Sequence, residues 1–367
     1  MKIKKIVFTG GHHTCAMVVA EKLKEKDVEI IWFGHKYTMA GDYQTSAEYE
    51  EVKEAGFEFV NLKAGKFHRH LNIKNIFKIF SGFFQSFKLL LKHKPDLIFS
   101  FGGYLAVPVV ICGWCLRIPS VTHEQTVVSG LANRVVFFFA RKIFVSWPSS
   151  LKFLSSQKTV FTGLPLRKEI LKVSEEKHLF AGQKRPTIYI TGGKQGSHLI
   201  NLAVKKCLLE LLAEYNVIHQ AGGNTLHRDF EKLKTYREEL PLDLRKRYLV
   251  KDYFFKKEIG RVLFSADLVV GRSGAHIVYE LLFLGKPALF IPIPWSYGNE
   301  QEENALVLTK LGMAEILHQK NLSSETLLSQ IKKITTNLDQ YKKAGVSGQK
   351  LAKDDAGQKM ADLIFDL

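Results

Sequence analysis

The sequence has little cysteine, with four residues in 367: Cys15, Cys112, Cys115 and Cys207. So few cysteines exclude a disulfide-stapled scaffold, and no charged-then-apolar leader precedes the first apolar run, so a reducing cytoplasm is the expected compartment. Cys112 and Cys115 have the spacing of a redox or metal-binding pair. Because no second pair accompanies them and their surroundings are apolar, the sequence favours a buried helix there.

Several nucleotide and nucleic-acid signatures are also missing. No GxGxxG turn is followed by an acidic residue about 20 positions later, and no GxxxxGK[ST] loop is present. Zinc-finger spacings, RNP-like strands and basic blocks interleaved with stacking aromatic residues are absent as well. These absences argue against a dinucleotide enzyme, a P-loop nucleotide hydrolase and a nucleic-acid-binding protein.

What the sequence does have is length, apolar content and positive charge. A chain of 367 residues that is 46% hydrophobic predicts about two globular domains, each able to bury its own core. The 53 Lys and Arg residues outnumber the 36 Asp and Glu residues, for a formal net charge of +17. This balance predicts attraction to an anionic partner, and an anionic membrane surface fits better than nucleic acid.

One basic and aromatic window, residues 67–94, offers a membrane-binding helix. Its large apolar residues recur at helical spacing with lysines among them. A core-facing helix with a solvated basic side is the alternative interpretation. The apolar residues are Ile73, Ile76, Phe77, Phe80, Phe83, Phe84 and Phe87, and the lysines are Lys74, Lys78, Lys88, Lys92 and Lys94.

A second apolar window, residues 97–116, carries no charge and is long enough to cross a bilayer. Its interior argues against a spanning helix, because Gly102 and Gly103 interrupt it. Residues 97–101 are typical of a buried parallel strand, and Pro108 suits the first turn of a new helix.

Short apolar strands alternate with helical patterns along most of the chain, which predicts parallel sheets covered by helices on both faces. The alternation of strands and helices starts again after a linker at Gly163 and Pro165, so the expected fold class is α/β with two doubly wound lobes. Such lobes bind ligands beyond the carboxyl ends of their strands. The expected strands are 5–9, 29–33, 97–101, 120–122 and 142–145 in the first lobe, and 187–191, 216–220, 268–270 and 287–291 in the second.

Three glycine-rich turns follow predicted strands at equivalent positions: "TGGHHT", "FGGYLAVP" and "TGGKQGS". Glycine permits close approach of the backbone to a ligand, and the N–H groups of the next helix form an anion site. Each turn is therefore a candidate phosphate-binding loop.

These turns belong to a longer series of motifs. The series comprises Thr9-Gly10-Gly11-His12, Gly102-Gly103-Tyr104 with Pro108, His123-Glu124-Gln125 with Gly130, Leu131 and Asn133, and Gly163, Pro165 and Arg167. It continues with Gly192-Gly193-Lys194-Gln195-Gly196, His219-Gln220, Arg272-Ser273-Gly274-Ala275 with Glu280, and Gln301 to Ala305. In these motifs the chain resembles the MurG family of glycosyltransferases from about Ile6 to the C-terminal helix.

The resemblance implies a GT-B fold, in which two Rossmann-like lobes face a cleft. Residues 1–162, completed by a last helix at 349–367, are the implied acceptor- and membrane-side lobe, and residues 163–348 are the implied UDP-sugar lobe. It also implies an inverting transfer of N-acetylglucosamine from UDP-GlcNAc to undecaprenyl-linked muramyl pentapeptide in peptidoglycan synthesis, which serves cell shape and division. The enzyme would act as a peripheral protein on the cytoplasmic face of the membrane, without cofactor or metal, and the lack of an Asp-x-Asp motif near the candidate sugar site agrees with this.

Chemistry assigns roles to two residues. The acceptor hydroxyl must lose a proton, and His12 at the start of a helix is the expected general base, kept neutral by the positive end of the helix dipole. Glu280 is the expected ribose ligand, because a carboxylate can accept hydrogen bonds from both vicinal hydroxyls. His13 has no counterpart in the family and is expected to be solvated.

The resemblance supplies the remaining site residues. Those implied in donor binding are Thr9, Gly10, Gly11, Thr126, Arg167, Lys194, Lys256, Ala275, His276, Ile277, Val278, Tyr279, Glu280, Glu300 and Gln301. Those implied in acceptor binding are Gly102, Gly103, Tyr104, His123, Glu124 and Gln125.

The chain departs from the family pattern at several of these positions. Thr126 stands where the family has Asn, Lys194 where it has Ser, and Glu300 where an amide or imidazole is usual. A lysine beside a pyrophosphate is chemically sensible. Three alternatives remain open: a UDP-sugar 2-epimerase, another glycolipid glycosyltransferase, and a membrane-surface binding protein without turnover.

Overall fold

A computed structural model describes residues 3–37, 45–65, 73–152, 154, 157–173, 178–180, 182 and 184–367. The chain divides into two compact units, Met1–Arg167 with Lys353–Leu367, and Lys168–Ala352. The first division falls five residues later than expected, because Thr162 and Gly163 both donate backbone hydrogen bonds to Val145 O in the first unit. The second falls four residues later, because Gln349 Nε2 donates to Phe283 O in the second unit, at 3.0 Å.

In the described part of the first unit, seven parallel strands form one sheet in the order β3-β2-β1-β4-β5-β6-β7. The inner strands are nearly continuous runs of buried residues, as a sheet covered on both faces requires. The strands are β1 (Lys5–Thr9), β2 (Glu29–Gly34), β3 (Glu58–Asn61), β4 (Leu97–Ser100), β5 (Ser120–Glu124), β6 (Lys142–Val145) and β7 (Thr159–Phe161). The helices between them are α1 (His13–Lys24), α2 (Ala47–Glu54), α3 (Ile73–His93), α4 (Ala106–Cys115) and α5 (Leu131–Phe139).

The apolar window at 97–116 forms strand β4, a turn and helix α4, with Pro108 in the first turn of the helix, as predicted. Both cysteines of the 112–115 pair lie on α4 as free thiols, with Cys112 buried and Cys115 exposed. Burial raises the pKa of the Cys112 thiol to about 11. A thiol that stays protonated at neutral pH is a poor redox or metal-binding group, so the buried-helix interpretation is the one the structure supports.

Helix α3 divides its apolar residues between two faces. Leu90 is buried and Phe83 packs against the core formed by α4 and the sheet. The opposite face is exposed and carries Phe77, Phe80, Phe84, Phe87 and Leu91. Helix α3 therefore fulfils both expectations, because one face packs on the core and the opposite face is an exposed apolar surface. The side chains of Ile73, Lys74 and Ile76, and residues 67–72 of the same window, lie outside the described residues.

The second unit contains, among its described residues, six parallel strands in the order β10-β9-β8-β11-β12-β13. They are β8 (Thr187–Thr191), β9 (Asn216–Gln220), β10 (Tyr248–Lys251), β11 (Leu268–Gly271), β12 (Ala288–Phe290) and β13 (Ala314–Ile316). The helices are α6 (Lys168–Leu171), α7 (His198–Lys206), α8 (Leu208–Glu214), α9 (Asp229–Glu239), α10 (Leu242–Arg245), α11 (Lys256–Ser265), α12 (Ala275–Leu284), α13 (Glu300–Lys310), α14 (Ser324–Thr336) and α15 (Leu338–Gln349). The order changes direction between β8 and β11, which is the switch point where such sheets bind ligands.

The last helix, α16 (Ala356–Leu363), belongs to the first unit and packs on α1. A Cβ on Gly357 would lie 2.8 Å from Val18 Cγ1, and Lys359 Nζ donates to Phe161 O at 2.9 Å. The single helix expected over 349–367 is wrong in its start, because Gln349 ends α15 and a turn separates the two helices.

Candidate active site

In the first unit, candidate site residues lie in a pair of touching turns at the carboxyl edge of the sheet. The turn after β1 and the turn after β4 meet where Gly11 N donates to Gly102 O at 3.0 Å. A Cβ on Gly10, whose φ is +126°, would lie 2.4 Å from that same oxygen. Only glycine fits such an approach at such an angle. The structure thus brings together Thr9, Gly10 and Gly11 with Gly102, Gly103 and Tyr104.

His12 lies at the end of the first turn, immediately before α1, and its side chain is partly buried. Its Nδ1 is 2.7 Å from Phe101 O. A carbonyl oxygen can only accept a hydrogen bond, so Nδ1 carries the proton and the neutral ring leaves Nε2 bare. Nε2 has no hydrogen-bond partner among the described residues, and an unprotonated nitrogen of this kind is what a general base needs.

Desolvation by burial is the main effect that lowers the pKa of His12, and the neighbouring His13 lowers it further. The bond to Phe101 O and the carboxylate of Glu124 act in the opposite direction. Burial therefore helps to keep His12 neutral, in addition to the expected effect of the helix dipole. His13 is less solvated than expected, since its Nε2 lies 3.6 Å from Glu51 Oε1.

A pH profile tests this arrangement. The acid limb of kcat/KM, which reports the free enzyme, is expected below the ordinary histidine pKa, because protonation of His12 removes the base and its pKa is lowered. Glu124→Gln removes a charge that raises the pKa of His12, so this variant is expected to move the limb to still lower pH, whatever its rate. A limb above the ordinary histidine value, or one that Glu124→Gln moves upward, would contradict the assignment.

Glu124 is the centre of a buried hydrogen-bond network beside these turns, with 1% of its surface exposed. Its Oε1 accepts from Thr126 N at 3.1 Å and from Thr126 Oγ1 at 2.8 Å, and its Oε2 accepts from Asn133 Nδ2 at 2.8 Å. Thr126, one of the three departures from the family pattern, therefore supplies hydrogen bonds to Glu124. Donors from Thr126 and Asn133 on its two oxygens hold the carboxylate in one orientation.

His123 and Gln125 lie on either side of Glu124 and are also buried. His123 Nε2 lies 2.8 Å from Ser146 Oγ, and burial lowers the pKa of its ring to about 3, so it stays neutral. Gln125 O accepts from Trp147 Nε1 at 3.0 Å. Both residues tie β5 to the segment after β6, which holds the network in place.

In the second unit, the candidate site residues begin with the glycine-rich turn after β8. A Cβ on Gly196, whose φ is +80°, would lie 2.0 Å from Ala221 O, so this turn packs directly on the end of β9. Gln220 fixes it, because its Nε2 donates to Thr191 Oγ1 and Gly193 O while its Oε1 accepts from Phe254 N. Lys194 extends from the turn with its ammonium 5.7 Å from the ring centroid of Tyr253.

Helix α12 starts just beyond β11, and its N-cap residue, Gly274, has no side chain that could cap it. Ala275, His276 and Ile277 form its first turn, which is a suitable anion site. Glu280, one turn further on, is buried with 3% of its surface exposed. Glu280 is therefore not an ordinary surface carboxylate, since buried carboxylates are rare.

The other expected donor residues of this unit also lie at its carboxyl edge. Lys256 is the first residue of α11, and Glu300 is the first residue of α13. Gln301 Oε1 accepts from Ile293 N at 3.1 Å, and Gln301 O accepts from Ser273 Oγ at 2.7 Å. These contacts connect the start of α13 to the motif that precedes α12.

The structure therefore divides the expected residues into two groups, one in each unit. Four residues expected to bind the donor, Thr9, Gly10, Gly11 and Thr126, lie with the acceptor-side residues in the first unit, and Arg167 is the last residue of that unit's main segment. Lys194, Lys256, the start of α12 with Val278, Tyr279 and Glu280, and the start of α13 lie together in the second. Among the residues described, no three His, Cys, Asp or Glu side chains are placed to hold a metal ion.

Sequence reasoning assigned no role to two residues, Asn133 and Arg272, although both belong to the motifs. In the structure, Asn133 orients Glu124, and Arg272 joins three segments of the second unit. A polar residue inside an otherwise apolar helical pattern is the signal for Asn133. For Arg272 the signal is a charged residue directly after a buried strand.

Two parallel-sheet units, each with a glycine-rich turn and polar groups at the carboxyl edge of its sheet, define the GT-B class of fold. Solved structures agree: MurG from Acinetobacter baumannii is 24% identical, with a TM-score of 0.74 over 99% of this chain and 100% of that one. UDP-GlcNAc 2-epimerase from Neisseria meningitidis, bound to UDP-GlcNAc, is 10% identical with a TM-score of 0.66 over all of both chains. At such identities the likeness concerns the fold alone.

Sequence comparison gives the family. The glycosyltransferase family 28 N-terminal domain matches residues 7–145 and the family 28 C-terminal domain matches residues 187–360. UDP-N-acetylglucosamine--N-acetylmuramyl-(pentapeptide) pyrophosphoryl-undecaprenol N-acetylglucosamine transferases are 32% identical in Bacillus cereus and 34% in Clostridium perfringens, over 93% of this chain and 94% and 93% of theirs. The chain belongs to glycosyltransferase family 28, among its MurG-type transferases.

Proposed function

We propose that this protein transfers N-acetylglucosamine from UDP-GlcNAc to the muramyl sugar of undecaprenyl-pyrophosphoryl-MurNAc-pentapeptide. The observation that carries the proposal is the 32–34% identity to transferases so named, over 93% of the chain. Two observations support it. Nε2 of His12 is unprotonated, which suits a general base, and Glu280 is a buried carboxylate, which suits a ribose ligand.

In the proposed reaction, Nε2 of His12 takes the proton of the acceptor hydroxyl as its oxygen forms a bond to the anomeric carbon. The bond from that carbon to the diphosphate breaks, and UDP leaves with the electron pair. Attack from the face opposite UDP inverts the anomeric centre. Glu280 holds the ribose, and the N–H groups at the start of α12 meet the charge that grows on the diphosphate.

The test is transfer to a soluble short-chain analogue of the lipid acceptor. We expect UDP release that requires both UDP-GlcNAc and the acceptor, and release at a much lower rate with UDP-GalNAc or UDP-glucose. Formation of a 2-epimer without acceptor would favour an epimerase instead. Binding of the donor without any turnover would favour a binding protein.

The proposed acceptor is anchored in a membrane by its lipid, and the first unit has a surface suited to such a membrane. No helix in the described ranges has both the length and the apolar character needed to span a bilayer. The exposed face of α3 is joined by Trp114 at the end of α4 and by Leu131, Val135 and Phe138 on α5. Helices α3, α4 and α5 pack side by side, which makes these residues parts of one apolar surface.

The stretch of chain that carries this membrane surface is strongly basic. Residues 59–167 contain two carboxylates, Asp96 and Glu124. Asp96 Oδ2 accepts from Lys4 N and Lys5 N, and Glu124 is buried, so both are engaged. The same stretch has fifteen cations: Lys63, Lys66, Arg69, Lys74, Lys78, Lys88, Lys92, Lys94, Arg117, Arg134, Arg141, Lys142, Lys152, Lys158 and Arg167. An apolar surface on a strongly basic stretch of chain suits peripheral binding to an anionic leaflet, here the cytoplasmic face of the membrane.

Vesicle co-sedimentation tests this surface. The double variant Phe80→Ser, Phe84→Ser removes two side chains that are 69% and 62% exposed, each worth about 1.5 kcal/mol or more when buried in lipid. Phe83 is not a suitable target, because it packs on the core. We expect binding to anionic vesicles to fall at least tenfold, and binding of the parent to weaken with salt.

Leu226→Ser, Leu242→Ser is the matched control, since these leucines are 80% and 65% exposed in the second unit. UDP binding is expected to be the same in both variants and the parent. Equal sedimentation of the two double variants, or binding that ignores lipid charge, would overturn the membrane proposal.

A further inference from the structure

The loop between β12 and α13 carries two large aromatic side chains that its own unit leaves exposed. Trp295 is 72% exposed and Tyr297 is 49% exposed. A single exposed apolar residue is common on a protein surface and needs no explanation. Two aromatic residues within three positions of one loop, at the carboxyl edge of a sheet where ligands bind, favour a contact with a ligand.

Hydrogen bonds hold this loop, residues 292–299, in one shape. Within it, Ser296 N donates to Ile293 O at 3.4 Å, and Asn299 N donates to Ser296 O at 3.1 Å. Gln301, at the start of α13, reaches back to the loop. Its Oε1 accepts from Ile293 N at 3.1 Å, and its N donates to Ser296 Oγ at 3.3 Å. The backbone of Trp295 is therefore held in place in advance, which lowers the cost of binding a ligand there.

Both ends of the loop are hydrogen-bonded to the segment that precedes α12. Ile291 O, directly before the loop, accepts from Arg272 Nη1 at 2.8 Å. Just after the loop, Gln301 O accepts from Ser273 Oγ at 2.7 Å, and Asn304 Nδ2 donates to Ser273 O at 3.2 Å. The start of α12 is the place proposed above for the diphosphate of the donor. The loop that carries Trp295 is thus fastened beside that place, within the same unit.

The sugar of the donor is the part whose chemistry suits an exposed indole ring. It is bonded to the diphosphate, so it lies beside the start of α12 when the diphosphate binds there. N-acetylglucosamine carries its ring hydroxyls and its N-acetyl group equatorially, so the faces of the ring present C–H bonds. A flat aromatic side chain covers such a face with a large apolar area and leaves the hydroxyls at the ring edge free for hydrogen bonds. N-acetylgalactosamine has one axial hydroxyl, which prevents an indole from lying flat on that face.

We infer that Trp295 is a specificity-determining contact of the donor, with its indole ring packed on the C–H face of N-acetylglucosamine. This inference rests on the proposed UDP-GlcNAc donor and adds to it a residue that selects the sugar. Gln301 is then a positioning residue as well, because its Oε1 holds the loop that carries the indole. The exposed surface of Trp295 is covered when the sugar binds.

The experiment measures by calorimetry how the full chain binds UDP-GlcNAc, UDP-GalNAc and UDP, which lacks the sugar. In Trp295→Ser we expect the affinity for UDP-GlcNAc to fall about tenfold, because the sugar loses the apolar surface on which it packs. The affinity for UDP is expected to stay the same, and the preference for UDP-GlcNAc over UDP-GalNAc is expected to fall. Trp295→Phe keeps an aromatic face, so we expect it to keep most of the affinity for UDP-GlcNAc.

Fluorescence adds a readout that a merely structural role would not change. The chain has four tryptophans, all within the described ranges, and Trp32 and Trp147 are buried. In a Trp114→Phe background, Trp295 is therefore the exposed one. We expect UDP-GlcNAc to move its emission to shorter wavelength, since the sugar covers the indole, and UDP to leave the emission nearly unchanged.

Leu226→Ser is the matched control, because it removes another exposed apolar side chain of the same unit. Its three affinities are expected to equal those of the parent. A Trp295→Ser variant that loses affinity for UDP and UDP-GlcNAc equally, or for neither, would overturn the inference. Unchanged donor affinity with a raised KM for the acceptor would also overturn it and would place Trp295 on the acceptor. A parent protein that binds neither UDP nor UDP-GlcNAc would instead overturn the proposed function.

Discussion

Replacement of His12 by alanine is expected to lower turnover by roughly a hundredfold or more, the usual scale for a lost general base, while UDP binding stays unchanged. The two effects separate because His12 lies in the first unit, whereas Glu280 and the start of α12, the expected ligands of the ribose and the diphosphate, lie in the second. The bond from Nδ1 to Phe101 O sets the tautomer, so alanine removes a nitrogen that is already prepared to accept a proton.

His13→Ala is the control for that experiment. The two histidines are adjacent, but His13 faces the carboxylate of Glu51 rather than the turn at Gly102. We expect turnover of the His13 variant close to that of the parent. If the two variants were equally active, or if the His12 variant lost UDP affinity in proportion to its rate, His12 would not be the base.

The sequence predicted the inner strands of both sheets and missed the outer ones. The nine expected strands correspond to the interior of the two sheets. The four missed strands, β3, β7, β10 and β13, are the four edge strands. An edge strand has a neighbouring strand on one side only and keeps partly exposed positions, as in the alternation of buried and partly buried residues from Tyr248 to Lys251. Such a strand lacks the continuous apolar run that marks an inner parallel strand.

Helix α3 shows a different limit. Its periodicity predicted a helix, but a stretch with apolar residues on more than one face does not reveal which face the core takes. The choice depends on α4, against which Phe83 packs, and on residues distant in sequence. The exposed phenylalanines could be identified only once the packing was known.

The candidate site was predictable where a motif carries its own chemistry, as in the turn that ends at His12. The residues that surround such a motif residue could not be predicted from the sequence. Arg272, Ser197 and Ile291 are far apart in sequence, and only the parallel order of β8, β11 and β12 brings them together. The sequence also did not reveal every hydrogen-bond partner of Glu124, because Asn133 reaches it from the following helix.

Replacement of Glu280 by alanine is expected to weaken UDP binding by about 1.5 to 3 kcal/mol, the scale of hydrogen bonds to a charged group. This corresponds to a rise in Kd of about ten- to 150-fold. Glu280→Gln is expected to lie between parent and alanine variant, because the amide keeps one acceptor oxygen and loses the charge. Since Glu280 is buried, a thermal melt of each variant must accompany the titration to show that the unit is folded.

A change of ligand makes the test specific for the ribose. The parent is expected to bind 2′,3′-dideoxy-UDP more weakly than UDP, because that ligand lacks the hydroxyls that donate to the carboxylate. The Glu280→Ala variant is expected to bind the two ligands with nearly equal affinity, since the partner of those hydroxyls is gone. A variant that still discriminates as strongly as the parent would place the ribose elsewhere, and Glu280 would then be a buried structural carboxylate of α12.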